Sequence, residues 1–448
     1  MGQFSNKNRL IGDQAALLTG IGLGFTLTLQ ITTLNLSDIT GIYNQITTVS
    51  RFCALIGSYL SIVGILLIAR IAGIERSIGH DRLVKWHRLI APYSLYFVFL
   101  HVLLVGVGYA GTDQVRVYWE LWTMARTYPW MLPATLGFFL LILAGVTSYR
   151  VFRSRMKYET WYLIHLYTYL GVALSFMHQI LTGQMFITHP LAKAYWIGLY
   201  VSVAGSILLF RILIPAVNSI RHQLKVARVV EEGPGIISIY ISGRGIDDLK
   251  AAGGQFFSWR FINKSQWYQS HPYSLSAAPT NNQLRITVKA LGDSSLDLKN
   301  LETGTRVFIE GPYGIFTSKR ATQGRHIVLV GGGVGITPLR AIMDEFPSDT
   351  QVDVLYRVSN EADLVLRKEL DEIADRIGAH VHYLVGSRSL HIMDPAYFHN
   401  LVPNFSDADI YMCGPESLVS AVRKAAKESG VPKDRLHEEA FAYHGDVS

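Results

Sequence analysis

The sequence predicts a multi-domain membrane protein: an all-α bundle of six transmembrane helices, then an antiparallel β-barrel, then an α/β domain built on a parallel sheet. Three observations carry this expectation. Of 448 residues, 49% are hydrophobic and only 17% are charged, too apolar for one soluble fold. The apolar residues gather into long runs as far as residue 215. Beyond them the composition is that of a globular protein, first in short alternating strands and then, from Arg325, in strand and helix repeats. The implied domains are 1–215, 220–320 and 324–448.

Six runs, at 12–34, 51–73, 86–109, 130–150, 160–182 and 192–215, are each long enough to cross a hydrocarbon core of about 30 Å. The first is long, lacks a small-residue cleavage site and is followed by five others, so it reads as a span and not as a signal peptide. Lys and Arg resist translocation. They gather in alternate segments: Lys7 and Arg9, then Arg70 to Arg88, then Arg150 to Lys157, while the opposite loops hold Arg51, Arg116, Arg126 and Lys193. A multi-pass cell-membrane protein follows, with both termini and the strand-rich half cytoplasmic. These basic collars account for the formal charge of +7 and make lipid headgroups the expected partner, with no nucleic acid. The two cysteines, Cys53 and Cys413, are too few for a cysteine-ligated iron–sulfur cluster.

Two spans carry a histidine near each end: His87 and His101, 14 residues apart, and His165 and His178, 13 apart. At about 100° per residue the first pair falls within 40° of one face, while the second falls 140° from whole turns. The axial separations are about 21 and 19.5 Å. Both helices run from inside to outside, so His87 meets His165 at the cytoplasmic level and His101 meets His178 at the outer level. Neutral imidazole ligates iron well, and one histidine on each side of a porphyrin gives a six-coordinate haem. The two levels therefore predict two b-type haems, with these four histidines as iron ligands.

After Arg221 the segments LKVARVV, GIISIYISG, GQFFSWRF, HPYSLSAAP, QLRITVKAL and TRVFIEGPYGIF predict the barrel strands. The run HIVLVGGGVGITPLRAIMDEF then places glycines between an apolar strand and a helix, where backbone amides and a helix N-terminus hold a diphosphate. A tight turn without ligand has the same pattern.

HPYSLSAAP, GPYGIF, GGGVGITPLRAI, CGPESL and EAF, in that order, resemble the ferredoxin reductase family of flavin and nicotinamide domains. Preceded by six spans and two histidine pairs, the whole chain is similar to the ferric reductase and NADPH oxidase superfamily in a compact bacterial form. The resemblance implies that His271, Pro272, Tyr273 and Ser274 line the isoalloxazine of FAD, with Ser274 near N5. It implies that Thr287, Val288 and Lys289 continue that wall and that Gly292, Ser294 and Ser295 meet the FAD diphosphate. Gly333, Gly335, Thr337 and Pro338 would form the dinucleotide loop, and Cys413, Gly414 and Pro415 would approach the nicotinamide. Glu439 and Phe441 fall in the terminal motif, where Phe441 would stack on the flavin. Cys413, Phe441 and Ser274 are thus the expected catalytic residues.

Arg357, Ser359 and Arg388, at the ends of two strands, suit a 2′-phosphate and favour NADPH over NADH, with Glu361 close by as the competing feature. The expected function is electron transfer from cytoplasmic NADPH through FAD and two haems to an extracytoplasmic one-electron acceptor, oxygen giving superoxide or a ferric chelate. Animal NADPH oxidases carry a further histidine one turn after the outer ligand; here that position is Val105. With neither a calcium-binding loop nor a Pro-rich tail, no obligatory regulatory subunit is expected. The competing expectation is a membrane-anchored flavin dehydrogenase whose span histidines are structural and whose acceptor is cytoplasmic.

Overall fold

A computed structural model describes residues 3–263, 267, 269–290, 297–322 and 324–440. The chain divides into two units, Met1–Phe210 and Arg211–Ser448. The first is helical: α1 (Gln3–Thr32), α2 (Ile42–Ile68), α3 (His80–Asp113), α4 (Met131–Ser148), α5 (Tyr158–Thr182) and α6 (Pro190–Ile207). Five stretches among the described residues are long and apolar enough to cross a membrane: Gly12–Thr32, Ile42–Ile68, Arg82–Asp113, Met131–Ser148 and Pro190–His222. The helix outside that set is α5, at 25 residues. Length does not exclude it; His165, Thr168, His178 and Gln179 make it more polar than its neighbours. Large apolar side chains such as Leu18, Leu132 and Phe139 lie exposed on these helices, as expected where lipid and not water is the solvent.

Glycines set the helix pairs. A Cβ on Gly57 of α2 would lie 2.9 Å from the Val98 backbone nitrogen on α3, and one on Gly137 of α4 would lie 2.6 Å from the Gly171 carbonyl on α5. Backbones this close are the usual way helices associate in lipid, where dispersion replaces the hydrophobic effect. Each histidine-bearing helix, α3 or α5, thus has its own close partner.

After a π-helical turn (Leu208–Leu213) and α7 (Ile214–His222), the second unit begins with six strands. They are β1 (Lys225–Gly233), β2 (Ile236–Ser242), β3 (Phe256–Phe261), β4 (His271–Ser274), β5 (Gln283–Lys289) and β6 (Val307–Tyr313). They form two three-stranded antiparallel sheets, ordered β1-β2-β5 and β4-β3-β6. Single bridges join the sheets at Leu275–Ile286 and Lys225–Arg306. Alternate residues turn inward to one core that includes Ile239, Phe257, Trp259, Leu284 and Ile286.

The remaining elements are β7 (Ile327–Gly332), α8 (Ile336–Met343), β8 (Val352–Val358), α9 (Arg367–Ile377), β9 (His380–Val385), α10 (Pro395–Leu401), β10 (Asp409–Gly414), α11 (Glu416–Glu428) and β11 (Leu436–Ala440). Their five strands form a parallel sheet in the order β11-β10-β7-β8-β9. β7, β8 and β10 are buried almost throughout and mostly apolar because helices cover both sheet faces. α8 and α9 pack in one cluster with Leu329 and Val354, and α11 packs with Val328 and Val330 in the other.

Candidate functional site

In the helical unit the histidine partners are concrete. His87 Nδ1 lies 3.0 Å from the Gly64 carbonyl on α2. His101 Nδ1 lies 3.1 Å from the Ser50 carbonyl and 2.8 Å from Ser50 Oγ. A carbonyl only accepts, so Nδ1 carries the proton in both rings, and the lone pair of each Nε2 is left for a metal. His165 Nδ1 is 3.3 Å from Ser148 Oγ on α4, and its ring stacks on Trp161 at 5.1 Å. His178 Nδ1 is buried and has no hydrogen-bond partner among the described residues.

The rings of His87 and His165 are 6.1 Å apart between centroids. Two imidazoles on opposite sides of one metal, with bonds of about 2 Å, need roughly 6 Å. The imidazole pair, the His87 tautomer and this spacing fit a bis-histidine haem. Among the described residues no group of three or more His, Cys, Asp or Glu is arranged to hold a metal ion by itself.

In the second unit, Ser274 ends β4 and is buried. Its Oγ donates to Glu439 Oε1 at 3.4 Å, across 165 residues of sequence. Glu439 on β11 pairs in register with Cys413 on β10, which pairs with Gly331 on β7. Three residues expected at the meeting of flavin and nicotinamide are thereby brought together. The Cys413 thiol is pushed well above its ordinary value by burial, reinforced by the Glu439 charge. Tyr273 accepts a hydrogen bond from Trp259 Nε1 through its carbonyl, at 2.9 Å, and burial pushes its phenol up to about 12. His271 lies beside the Tyr273 ring at 6.2 Å, and Pro272 between them is exposed.

Along β5, Thr287 Oγ1 bonds to Ser238 Oγ and Ser276 Oγ, each at 2.8 Å. Val288 packs into the core between the sheets, and Lys289 is half-buried at the strand end. Gly292, Ser294, Ser295 and Phe441 lie outside the described residues.

The dinucleotide loop, Gly333–Gly335, joins β7 to α8. Gly333 has φ +54° and open space where a Cβ would stand, whereas a Cβ on Gly335 would meet the Cys413 carbonyl at 2.4 Å. The first keeps the backbone accessible to a phosphate; the second lets the loop touch β10. Thr337 is buried, its Oγ1 donating to the Val334 carbonyl at 2.9 Å, and Pro338 is buried beside it. Gly414 packs on Gly332, and Pro415 caps α11. These features fit a diphosphate held at the strand-to-helix turn.

Of the residues expected at a 2′-phosphate, Ser359 and Arg388 are exposed. Arg357 is not offered in the same way: its guanidinium donates to the carbonyls of Val358, Leu384 (3.2 Å) and Gly386 (2.7 Å). Glu361 pairs with Arg367 at 3.4 Å.

Sequence reasoning missed Ser50, Gly64 and Ser148, the neighbours that orient the histidines. A signal existed for two of them: Ser50 and Gly64 are 14 residues apart, the spacing of His87 and His101, as antiparallel helices in matched register require. It also missed Arg285 and Glu369, whose ion pair is described below.

Comparison with known proteins finds three family matches along the chain. Residues 53–176 match the family described as ferric reductase like transmembrane component, 221–317 a FAD-binding domain and 329–424 an oxidoreductase NAD-binding domain. A flavohemoprotein of Bacillus subtilis is 29% identical over 239 residues, 48% of this chain and 58% of that protein. A 3-ketosteroid-9-alpha-monooxygenase ferredoxin reductase component of Mycolicibacterium smegmatis is 30% identical over 234 residues, 49% of this chain and 65% of that protein. The chain thus spans between half and two thirds of the length of these relatives. Among solved structures, the FAD/NAD binding domain of nitric oxide dioxygenase from Vibrio cholerae aligns with TM-score 0.43 at 24% identity, over 49% of this chain and 99% of that one. The chain thus matches, in order, a ferric reductase-like transmembrane component, a FAD-binding domain and an NAD-binding domain, the arrangement of a ferric reductase and NADPH oxidase-type fusion with a ferredoxin-reductase-like C-terminal part.

Proposed function

We propose that this chain carries electrons across the membrane from cytoplasmic NADPH, with NADH as the weaker donor, through FAD and two b-type haems. All six long helices span the membrane in this reading, and the acceptor is an extracytoplasmic one-electron oxidant: oxygen, giving superoxide, or a ferric chelate. The observation that carries it is the disposition of the histidines, with the rings of His87 and His165 6.1 Å apart between centroids and His87 and His101 committed through Nδ1 to carbonyls of α2.

When bound, FAD supplies the conversion of a two-electron hydride into single electrons, and haem iron supplies their onward passage. The residues of the chain arrange that traffic. His271 to Ser274 would bind the flavin edge, with the Ser274 hydroxyl oriented by Glu439. Cys413 stays a neutral thiol because it is buried, so it puts no negative charge beside a departing hydride. Gly333 to Gly335 and the start of α8 would hold the nicotinamide diphosphate. Exposed Arg388 and Ser359 would select the 2′-phosphate. His87 with His165, and His101 with His178, would each hold one haem iron from both sides, leaving no open place on the iron for an acceptor to bind. Small one-electron acceptors suit that geometry, and the single chain is expected to suffice without a regulatory subunit.

The test is a reduced-minus-oxidised spectrum of the purified chain, followed by NADPH-driven reduction in vesicles offered oxygen or a ferric chelate separately. Low-spin b-type bands at two haems per chain are expected. Their absence, with full flavin reduction, would leave a membrane-anchored flavin dehydrogenase with a cytoplasmic acceptor.

A further inference from the structure

Within the second unit, the paired antiparallel sheets and the parallel sheet meet through buried charge. Arg285 of β5 has a side chain 5% exposed. Its two terminal nitrogens reach Glu369 Oε1 and Oε2 on α9 at 2.6 and 2.9 Å. The same guanidinium holds Ser276, donating from Nε to Oγ at 3.1 Å and from Nη2 to the carbonyl at 2.7 Å. Glu369 also pairs with Arg340 Nε on α8 at 2.9 Å, and Arg340 pairs with Asp344 at 3.0 Å. Burial alone would raise the Glu369 carboxyl, but Arg285 and Arg340 hold it below the usual carboxylate range.

The positions at the two ends of this chain of contacts matter. Ser276 lies two residues beyond Ser274, on the segment expected to line the flavin. Arg340 lies on the helix that opens from the Gly333–Gly335 loop. One carboxylate therefore ties the flavin segment to the nucleotide helix. A second tether runs parallel to it: Glu345 accepts from Gly253 N and Ser318 Oγ, each at 2.5 Å.

Buried ion pairs contribute little net stability against apolar replacements of similar size, because both charges lose water; the best attested role of such groups is to fix one arrangement. The arrangement at stake here is a reacting distance. Hydride transfer moves two electrons and one proton from reduced nicotinamide to oxidised flavin, leaving oxidised nicotinamide and reduced flavin. It needs the reacting atoms about 3 to 3.5 Å apart, and a displacement of about 1 Å costs on the order of a hundredfold in rate.

We infer that Arg285, Glu369 and Arg340 form a positioning latch that sets the distance between nicotinamide and flavin. This rests on the electron-transfer function proposed above. The test uses the full chain in detergent, loaded with FAD, with Glu369→Gln and Arg285→Lys as variants. Flavin reduction by NADPH is followed in single turnover, together with the charge-transfer absorbance of the nicotinamide–flavin complex.

In Glu369→Gln the limiting reduction rate is expected to fall about tenfold or more. The charge-transfer absorbance should weaken, while flavin content and the half-saturating NADPH concentration stay within twofold. Arg285→Lys keeps the charge but not the two-pronged contact and should fall between that variant and wild type. Unchanged rate and absorbance in whichever variant keeps its flavin would overturn the latch, and so would flavin loss from both, which would assign the network to flavin-domain integrity. Wild-type flavin that neither NADPH nor NADH reduces would sink the function and the latch together, whereas reducible wild type with unaltered variants sinks the latch alone.

Discussion

Ser50→Ala isolates what a helix neighbour contributes to the level of His101 and His178. Ser50 is fully buried, so the substitution brings no new contact with solvent or lipid. It removes the hydroxyl that accepts from His101 Nδ1 at 2.8 Å and itself donates to the His101 carbonyl at 3.0 Å. The Ser50 carbonyl, 3.1 Å from the same Nδ1, remains. One neutral hydrogen bond of this kind is worth about 0.5–1.5 kcal/mol, and losing an outer-shell partner of a metal ligand typically costs 10- to 100-fold in affinity. Because one acceptor survives, loss of the haem proposed at the His101 level should accelerate by about tenfold, the low end of that range. The sign of the redox change also follows. A hydrogen bond from Nδ1 makes imidazole a stronger donor and favours ferric iron. A differential loss of about 0.5–1.4 kcal/mol on the ferric form therefore raises one midpoint potential by roughly 20–60 mV. The assay is haem transfer to an excess of a haem-scavenging apoprotein, with a spectroelectrochemical titration, against two controls. Ser50→Thr keeps the hydroxyl; Ser61→Ala breaks the Ser61–Ser94 contact of 2.6 Å between the same helices without touching a histidine. If Ser50→Ala behaves like Ser61→Ala in both measurements, the assignment of His101 as an iron ligand oriented by α2 is refuted.

Arg388→Ala should raise the KM for NADPH and leave that for NADH nearly unchanged, moving the ratio of specificities about ten- to a hundredfold, the worth of charge-assisted bonds to a 2′-phosphate; equal losses with both coenzymes would count against it. Gly335→Ala places a methyl 2.4 Å from the Cys413 carbonyl and 2.8 Å from Gly414 Cα, backbone that cannot yield cheaply. NADPH-driven flavin reduction should therefore disappear while dithionite still reduces the haems, and wild-type NADPH kinetics in that variant would contradict the close approach. On β8, an inner strand of the parallel sheet, burial alone would raise Asp353, but hydrogen bonds from His326 at 2.6 Å and His382 at 3.0 Å hold its carboxyl well below the usual range. A carboxyl depressed in the folded state stabilises above its unfolded pKa of about 3.9 and loses that contribution as pH falls toward the folded value. Asp353→Asn should thus lower the Tm of the C-terminal unit at pH 7, with the gap from wild type closing below about pH 4; a gap independent of pH would assign the loss to packing.

Long-range order in the sequence fell into two kinds. Patterns with a local physical cause were legible. Apolar runs read as helices because lipid-facing length is written residue by residue, and six alternating segments read as the six strands of the two antiparallel sheets. The spacing of 14 between His87 and His101 put both on one face because helical rotation is fixed. The glycine run before Ile336 read as a strand-to-helix turn, and Gly333 indeed takes φ +54° there. The second histidine pair resisted the same reasoning, since 13 residues leave a rotation of 140°. In the structure α5 runs unbroken through His165 and His178. Thr168 and Ser175 turn their hydroxyls onto carbonyls three residues back, at 2.7 and 2.8 Å, a feature that lets a helix bend.

What the sequence by itself determined, then, is the order of domains and the identity of the candidate ligands. What only the tertiary structure decided is which polar groups answer one another across the fold. Arg357 and Arg388 look equivalent at strand ends, yet Arg357 is spent on three carbonyls while Arg388 stays exposed. Arg285 reads as one charge in a strand until it meets Glu369, 84 residues away. Ser274, Glu439 and Cys413 share no local pattern, and they meet because β11, β10 and β7 pair in register beside the end of β4. The physical reason is common to all three: a polar group removed from water must find a partner, and the nearest partner is set by packing, which no local pattern in the chain encodes.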